Sequence, residues 1–196
     1  MLGRQAKTLS PAALARVLTR VRTHTFPVRD RVMVLLSVRS GLRAGEIAGL
    51  TWGMVLDARG GVGQGISVRS SIAKKGSGRR VPLHPDLRRA LIALKRQALT
   101  WDLEPDRPVI VSARGQAMKP NSIVNWFVTL YQSLDLQGCS SHSGRRTFIT
   151  NAARQAHRAG ASLRDVQLLA GHRSIETTQG YIDGDSDAQR KLVGLI

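Results

Sequence analysis

The sequence is short of acidic residues, of cysteine and of long apolar runs, and each shortage excludes something. Thirteen Asp and Glu stand against 30 Lys and Arg, a net charge of +17. That excess points to a polyanion, with nucleic acid the first candidate and an anionic membrane surface the second. The basic residues are dispersed through a globular pattern, which favours a folded face over a disordered arm; a merely soluble basic protein is the bland alternative. There is no acidic cluster suited to Mg²⁺. The single cysteine, Cys139, rules out an intrachain disulfide, and one Cys with scattered His does not make a Zn site. Cys139 reads as incidental rather than as a nucleophile. No stretch approaches the roughly 18 apolar residues of a membrane span, and the N-terminus has no apolar signal-peptide core. The expectation is a cytoplasmic, nucleoid-associated protein with no membrane partner.

What is present is a foldable pattern. The 196 residues, 42% of them apolar, suffice for one domain with its own core. Ser10-Pro11 is a helix start, with Leu14, Val17, Leu18 and Val21 on one face. Pro27 opens a second helix around Val32–Leu36, apolar nearly all round, and Gly41 ends it. A short helix then places Arg43 and Glu46 three apart. Between 59 and 83, Gly-rich turns flank Ile66–Ile72 and Arg79–Leu83, which predicts a small hairpin or three-stranded sheet. Two helical stripes follow: Leu87, Leu91, Leu94 and Ala98, then Ile123, Trp126, Phe127, Leu130 and Leu134. The spacing of the second stripe favours packing over base stacking. A helix is predicted from about Ser143 to Arg158, and Ser162-Leu-Arg-Asp165 reads as a capping box with Gly171 at the far end. There is no internal repeat, low-complexity tract or long linker. The fold class expected is mainly α with a small antiparallel β-sheet.

Four residues near the C-terminus concentrate the chemistry: His142 and Arg145 in His-Ser-Gly-Arg, His172 in Ala-Gly-His, and Tyr181 in Thr-Thr-Gln-Gly-Tyr. Upstream, Arg43 sits in Gly-Leu-Arg-Ala-Gly-Glu. Arginines and histidines suit a phosphodiester under attack, because charge develops on its non-bridging oxygens, and a tyrosine hydroxyl can be the attacking group. Singly, each has a bland reading. Arg43 is one charge in a basic pool, and His142 is a cap or surface residue. His172 is a helix C-cap, and Tyr181 is a buried amphipathic side chain. Their common order and local context argue otherwise.

That order, Arg43, a turn lysine, His142-x-x-Arg145, His172, Tyr181, resembles the tyrosine recombinase (phage integrase) family from about Thr8 to about Ile182. The resemblance implies that family's catalytic-domain fold and site-specific cleavage and rejoining of double-stranded DNA. Tyr181 would be the nucleophile, leaving a 3′-phosphotyrosyl link and a free 5′ hydroxyl. Arg43 and Arg145 would fork onto non-bridging oxygens, His172 would donate to the same oxygens, and His142 would assist proton movement at the tyrosine. Glu46 matches the family's acidic position and is expected to orient cations. Lys74 matches the general acid for the departing 5′ oxygen, with Lys75 the alternative. Lys75, Arg79 and Arg146 are candidate DNA contacts. No metal, ATP or other cofactor is implied. The assembly implied is a homotetramer on paired sites, passing through a Holliday junction, with accessory DNA-bending or directionality factors.

There are departures. Gly144 stands where the family often has Leu, and Arg146 where it often has His. Residues 1–196 read as a single catalytic domain without the N-terminal clamp, either a fragment or a compact enzyme like the small inverting recombinases. The tail, 185–196, is short and amphipathic and must dock in cis or on a neighbouring protomer. Two other readings stay open, a type IB topoisomerase-like enzyme and a non-catalytic DNA-binding regulator of the same fold.

Overall fold

The computed structural model describes residues 6–73, 76–97, 104–181 and 193–194. By compactness the chain divides into two units, Met1–Phe148 and Ile149–Ile196.

In the first unit, helix α1 (Pro11–Arg20) begins where the sequence predicts. Ser10 Oγ accepts the Ala13 N–H at 3.1 Å, and Pro11 needs no donor in the first turn. A 3₁₀ turn, Val21–Thr23, leads to α2 (Pro27–Ser40). Val32 to Leu36 are all buried, so α2 is a central helix rather than an amphipathic one. It ends at Gly41, whose φ of 62° is the left-handed conformation; the Leu42 N–H returns to the Leu36 carbonyl at 3.1 Å. Helix α2 packs on α4 (Pro85–Gln97), which buries Leu87 and Leu91. Each such aliphatic burial contributes roughly 1.5–3 kcal/mol. Leu94 is half-buried, and Ala98 lies outside the described residues.

The short α3 (Ala44–Ala48) packs on α5 (Pro120–Gln132). The α5 stripe is core as expected: Ile123, Phe127 and Leu130 are buried, and Trp126 stands edge-on to Phe127 at 5.0 Å. Leu134 falls just past the helix and is half-buried.

The sheet among the described residues has two antiparallel strands, β1 (Gly65–Val68) and β2 (Arg79–Pro82), with Ile66 opposite Val81 and Val68 opposite Arg79. Ile66, Val68 and Val81 form the buried face, as alternation requires. The first strand is shorter than the apolar pattern predicts. After Val68 the backbone turns, with the Ile72 and Ala73 N–H groups both donating to the Arg69 carbonyl. The turn lysines, Lys74 and Lys75, lie outside the described residues.

Helix α6 (Ser143–Ala156) continues into a 3₁₀ turn at His157–Ala159. In the second unit, α7 (Leu163–Ala170) packs on α8 (Ile175–Gln179). The capping box is present: the Ser162 N–H donates to Asp165 Oδ2 at 2.8 Å, which holds that carboxyl below its ordinary value. Gly171, at φ 64°, terminates α7 and delivers His172 just past the helix end. The predicted tail, 185–196, lies outside the described residues apart from 193 and 194.

Candidate active site

Arg43 sits at the N-cap of α3 and Glu46 at its third position. The Arg43 N–H donates to Glu46 Oε2 at 2.9 Å, and its Nη1 to Oε1 at 3.1 Å. This is the pairing the three-residue spacing predicts. A second guanidinium meets the same carboxylate: Arg79 Nη1 donates to Oε1 at 2.8 Å and Nη2 to Oε2 at 3.0 Å. Side-chain exposure is 1% for Glu46, 5% for Arg79 and 22% for Arg43. Burial works to raise the Glu46 pKa. The hydrogen bond and charge of Arg79, followed by those of Arg43, outweigh it and hold the carboxyl below its ordinary value. Arg79, a candidate DNA contact from the sequence, has its guanidinium forked onto Glu46.

Arg145 lies in the first turn of α6 and is 2% exposed. Its Nη1 donates to the Gly41 carbonyl at 2.6 Å. The helix cap that ends α2 therefore also holds Arg145, two residues before Arg43. Phe148 closes over Gly41, where a Cβ would lie 3.1 Å from Phe148 Cε1. Just upstream, the Ser140 N–H donates to Ser143 Oγ at 2.9 Å and the His142 N–H to Ser140 Oγ at 3.3 Å. These bonds fold the chain into a turn that leaves the His142 side chain exposed. Thr147 Oγ1 donates to the Ser143 carbonyl and accepts the Leu9 N–H, both at 2.8 Å. Gly144 has a packing reason: a Cβ there would lie 2.8 Å from Ser37 Cβ. The start of α6 approaches α2 too closely for the family's usual leucine. Arg146, next in sequence, is half-buried.

In the second unit, His172 and Tyr181 come together. Their rings stack with centroids 5.4 Å apart and planes 26° apart. His172 Nδ1 is 2.9 Å from Oγ1 of Thr178, a fully buried residue. Thr150 Oγ1 donates to the Tyr181 carbonyl at 3.1 Å. The other tyrosine, Tyr131, is core: it is buried, and burial raises its pKa.

Three contacts escaped the sequence reading: the Gly41 carbonyl on Arg145, Thr178 on His172, and Glu46 on Arg79. Gly41 is legible as a helix stop, but nothing local announces that its carbonyl receives Arg145. Thr178 stands inside the tyrosine motif, yet its hydrogen bond depends on the turn between α7 and α8. Among the described residues no three His, Cys, Asp or Glu side chains gather as metal ligands, and no helix is long and apolar enough to cross a membrane. A cleft of about 420 Å³ between Phe26, Trp52, Leu94 and Val111 contains none of the expected reacting residues.

The family model described as the phage integrase family matches residues 7–187. The tyrosine recombinase XerC of Rhodospirillum centenum is 31% identical over 161 residues, covering 82% of this chain and 44% of that protein. XerD of Ralstonia nicotianae is 33% identical over 183 residues, covering 91% and 56%. The chain thus spans about half the length of the curated relatives it matches. Among solved structures, XerA recombinase superposes with a TM-score of 0.74 at 25% identity, covering 96% of this chain and 64% of that one. XerH bound to its difH substrate superposes with a TM-score of 0.75 at 18% identity, over 97% and 53%, and so bears on the fold. The family match spans nearly the whole sequence and every candidate residue from Arg43 to Tyr181, and the chain belongs to the phage integrase family, the tyrosine recombinases.

Proposed function

We propose that this chain cleaves and rejoins double-stranded DNA at specific sites through a 3′-phosphotyrosyl intermediate. The observation that carries the reading is the anchoring of two arginines to one short segment. Arg145 is held by the Gly41 carbonyl and Arg43, two residues on, by Glu46. Both sit in motifs whose order matches the family. Two fixed guanidiniums offer forked donors for the non-bridging oxygens of a scissile phosphate and lose little entropy on binding it.

The Tyr181 hydroxyl oxygen attacks phosphorus and forms a new P–O bond. The bond from phosphorus to the 5′ oxygen breaks, and that oxygen leaves with the electron pair. The tyrosine proton passes toward His142, and Lys74 protonates the departing 5′ oxygen. His172 donates to a non-bridging oxygen while Thr178 fixes its ring. Attack by a partner strand's 5′ hydroxyl reverses the sequence. The phosphotyrosyl link conserves the energy of the broken phosphodiester, so neither ATP nor a metal enters. The active form is a homotetramer on paired sites. DNA-bending or directionality factors assist it at the nucleoid.

A nicked suicide duplex tests the reading, because the short strand diffuses away and traps the covalent state. The expected result is a detergent-resistant protein–DNA adduct that forms equally in EDTA at matched ionic strength. DNA binding without an adduct would make the chain a binder rather than an enzyme. Cleavage that needs added Mg²⁺ would point to a metal nuclease.

A further inference from the structure

We propose that Arg79 is a positioning residue for Arg43, acting through the carboxylate of Glu46; the inference rests on the cleavage reading above. Three side chains form one ion-paired cluster, with Glu46 the most buried and Arg43 the most exposed. Arg79, 5% exposed, takes both Glu46 oxygens in a fork at 2.8 and 3.0 Å. Glu46, 1% exposed, shares Oε1 with Arg43 Nη1 at 3.1 Å. Arg43, 22% exposed, is the outermost of the three. A buried carboxylate draws cations strongly, because little water screens it. With Arg79 occupying both oxygens, Glu46 holds Arg43 by one guanidinium nitrogen and the backbone N–H, and the rest of the fork is left for a phosphate. Without Arg79, the whole pull of the carboxylate falls on Arg43 and draws its guanidinium inward, away from the substrate.

One further feature points the same way. Arg79 opens strand β2, fixed by its pairing opposite Val68, so its backbone is placed by the sheet. A lysine there would restore the charge but not the fork, since an ammonium is a point donor that cannot span both carboxylate oxygens.

The test uses the full chain and a nicked suicide duplex carrying the site that the wild-type protein selects from a randomised pool. Arg79→Lys is the primary variant. If it does not fold by circular dichroism, Arg79→Gln replaces it, since it keeps a hydrogen-bond donor and leaves the Glu46 carboxylate in place to act on Arg43. The expected result is DNA affinity within about twofold of wild type and a single-turnover cleavage rate about a hundredfold lower, the scale of an ångström's misplacement at a reacting centre. A methylphosphonate at the scissile position removes the negative charge that Arg43 offsets, so there the deficit should shrink to a few fold. A 5′-bridging phosphorothiolate makes the leaving group good without a proton donor, so there the deficit should persist. Wild-type cleavage rates in the variant would overturn the inference. So would weakened binding with normal cleavage, which makes Arg79 a phosphate contact, or rescue by the thiolate substrate alone, which makes it serve the general acid. Absence of any adduct from the wild-type chain would overturn the cleavage reading itself, and this inference with it.

Discussion

The imidazole of His172 lies against the ring of Tyr181, 5.4 Å between centroids, while its Nδ1 meets the buried hydroxyl of Thr178 at 2.9 Å. One threonine thus orients a ring that in turn packs on the proposed nucleophile. Thr178→Val keeps the shape and removes the hydrogen bond, which costs about 0.5–1.5 kcal/mol of stability. We expect single-turnover cleavage to fall about tenfold, in line with loss of an orienting partner. In a His172→Ala background the same substitution should have no further effect on rate. Independent, additive losses would show that Thr178 does not act through His172.

The two tyrosines should separate cleanly. Tyr181→Phe abolishes the covalent adduct and leaves DNA affinity nearly intact. Tyr131→Phe leaves the adduct intact. The Tyr131 hydroxyl is buried with no hydrogen-bond partner among the described residues, so its removal is neutral or stabilising by up to about 1 kcal/mol. Gel analysis of trapped complexes and thermal melting check both halves. An adduct in the Tyr181→Phe protein would remove that residue from the chemistry.

Restoring the family's leucine at Gly144 should destabilise this chain. A Cβ alone would lie 2.8 Å from Ser37 Cβ, and three further carbons cannot be placed without moving α6 from α2. Overpacking of this kind typically costs about 1–3 kcal/mol. Denaturant melts of Gly144→Leu and Gly144→Ala should show a graded loss, larger for Leu. An unchanged midpoint for Leu would mean that the helix start yields without strain.

Acid should weaken the Arg79–Glu46–Arg43 cluster in a defined direction. The folded-state pKa of Glu46 lies below the ordinary 4.5, so its stabilisation is present above that value and is lost as pH falls through the folded value. The stability gap between wild type and Glu46→Gln should therefore be widest near neutrality and narrow below about pH 4.5. Denaturant unfolding of the two proteins across that range measures it. A gap constant with pH would show that Glu46 is not the titrating group.

Much of the local structure was legible because it is set within a few residues. Ser10 with Pro11 starts α1, Gly41 in the left-handed conformation stops α2, and Ser162 with Asp165 caps α7. Each rests on a backbone donor or acceptor that a near neighbour satisfies. The Arg43–Glu46 pair follows from i, i+3 proximity in the same way. The order of Arg43, His142, Arg145, His172 and Tyr181 was likewise enough to identify the family.

The partners that hold these side chains were decided by tertiary structure. Arg145 meets a carbonyl 104 residues away and Arg79 a carboxylate 33 residues away, and no periodicity encodes contacts at such separations. Arg79 reads from the sequence as a candidate DNA contact, and charge alone does not say that its side chain meets a buried carboxylate. The early end of β1 at Val68 has the same origin: Ile72 has strand propensity, but the turn at Arg69 carries it off the sheet and against Gly49. Short-range hydrogen bonding and spacing therefore determined which groups are candidates for the chemistry. Long-range packing decided which groups hold them: the Gly41 carbonyl for Arg145, and the Glu46 carboxylate for Arg79 as well as Arg43.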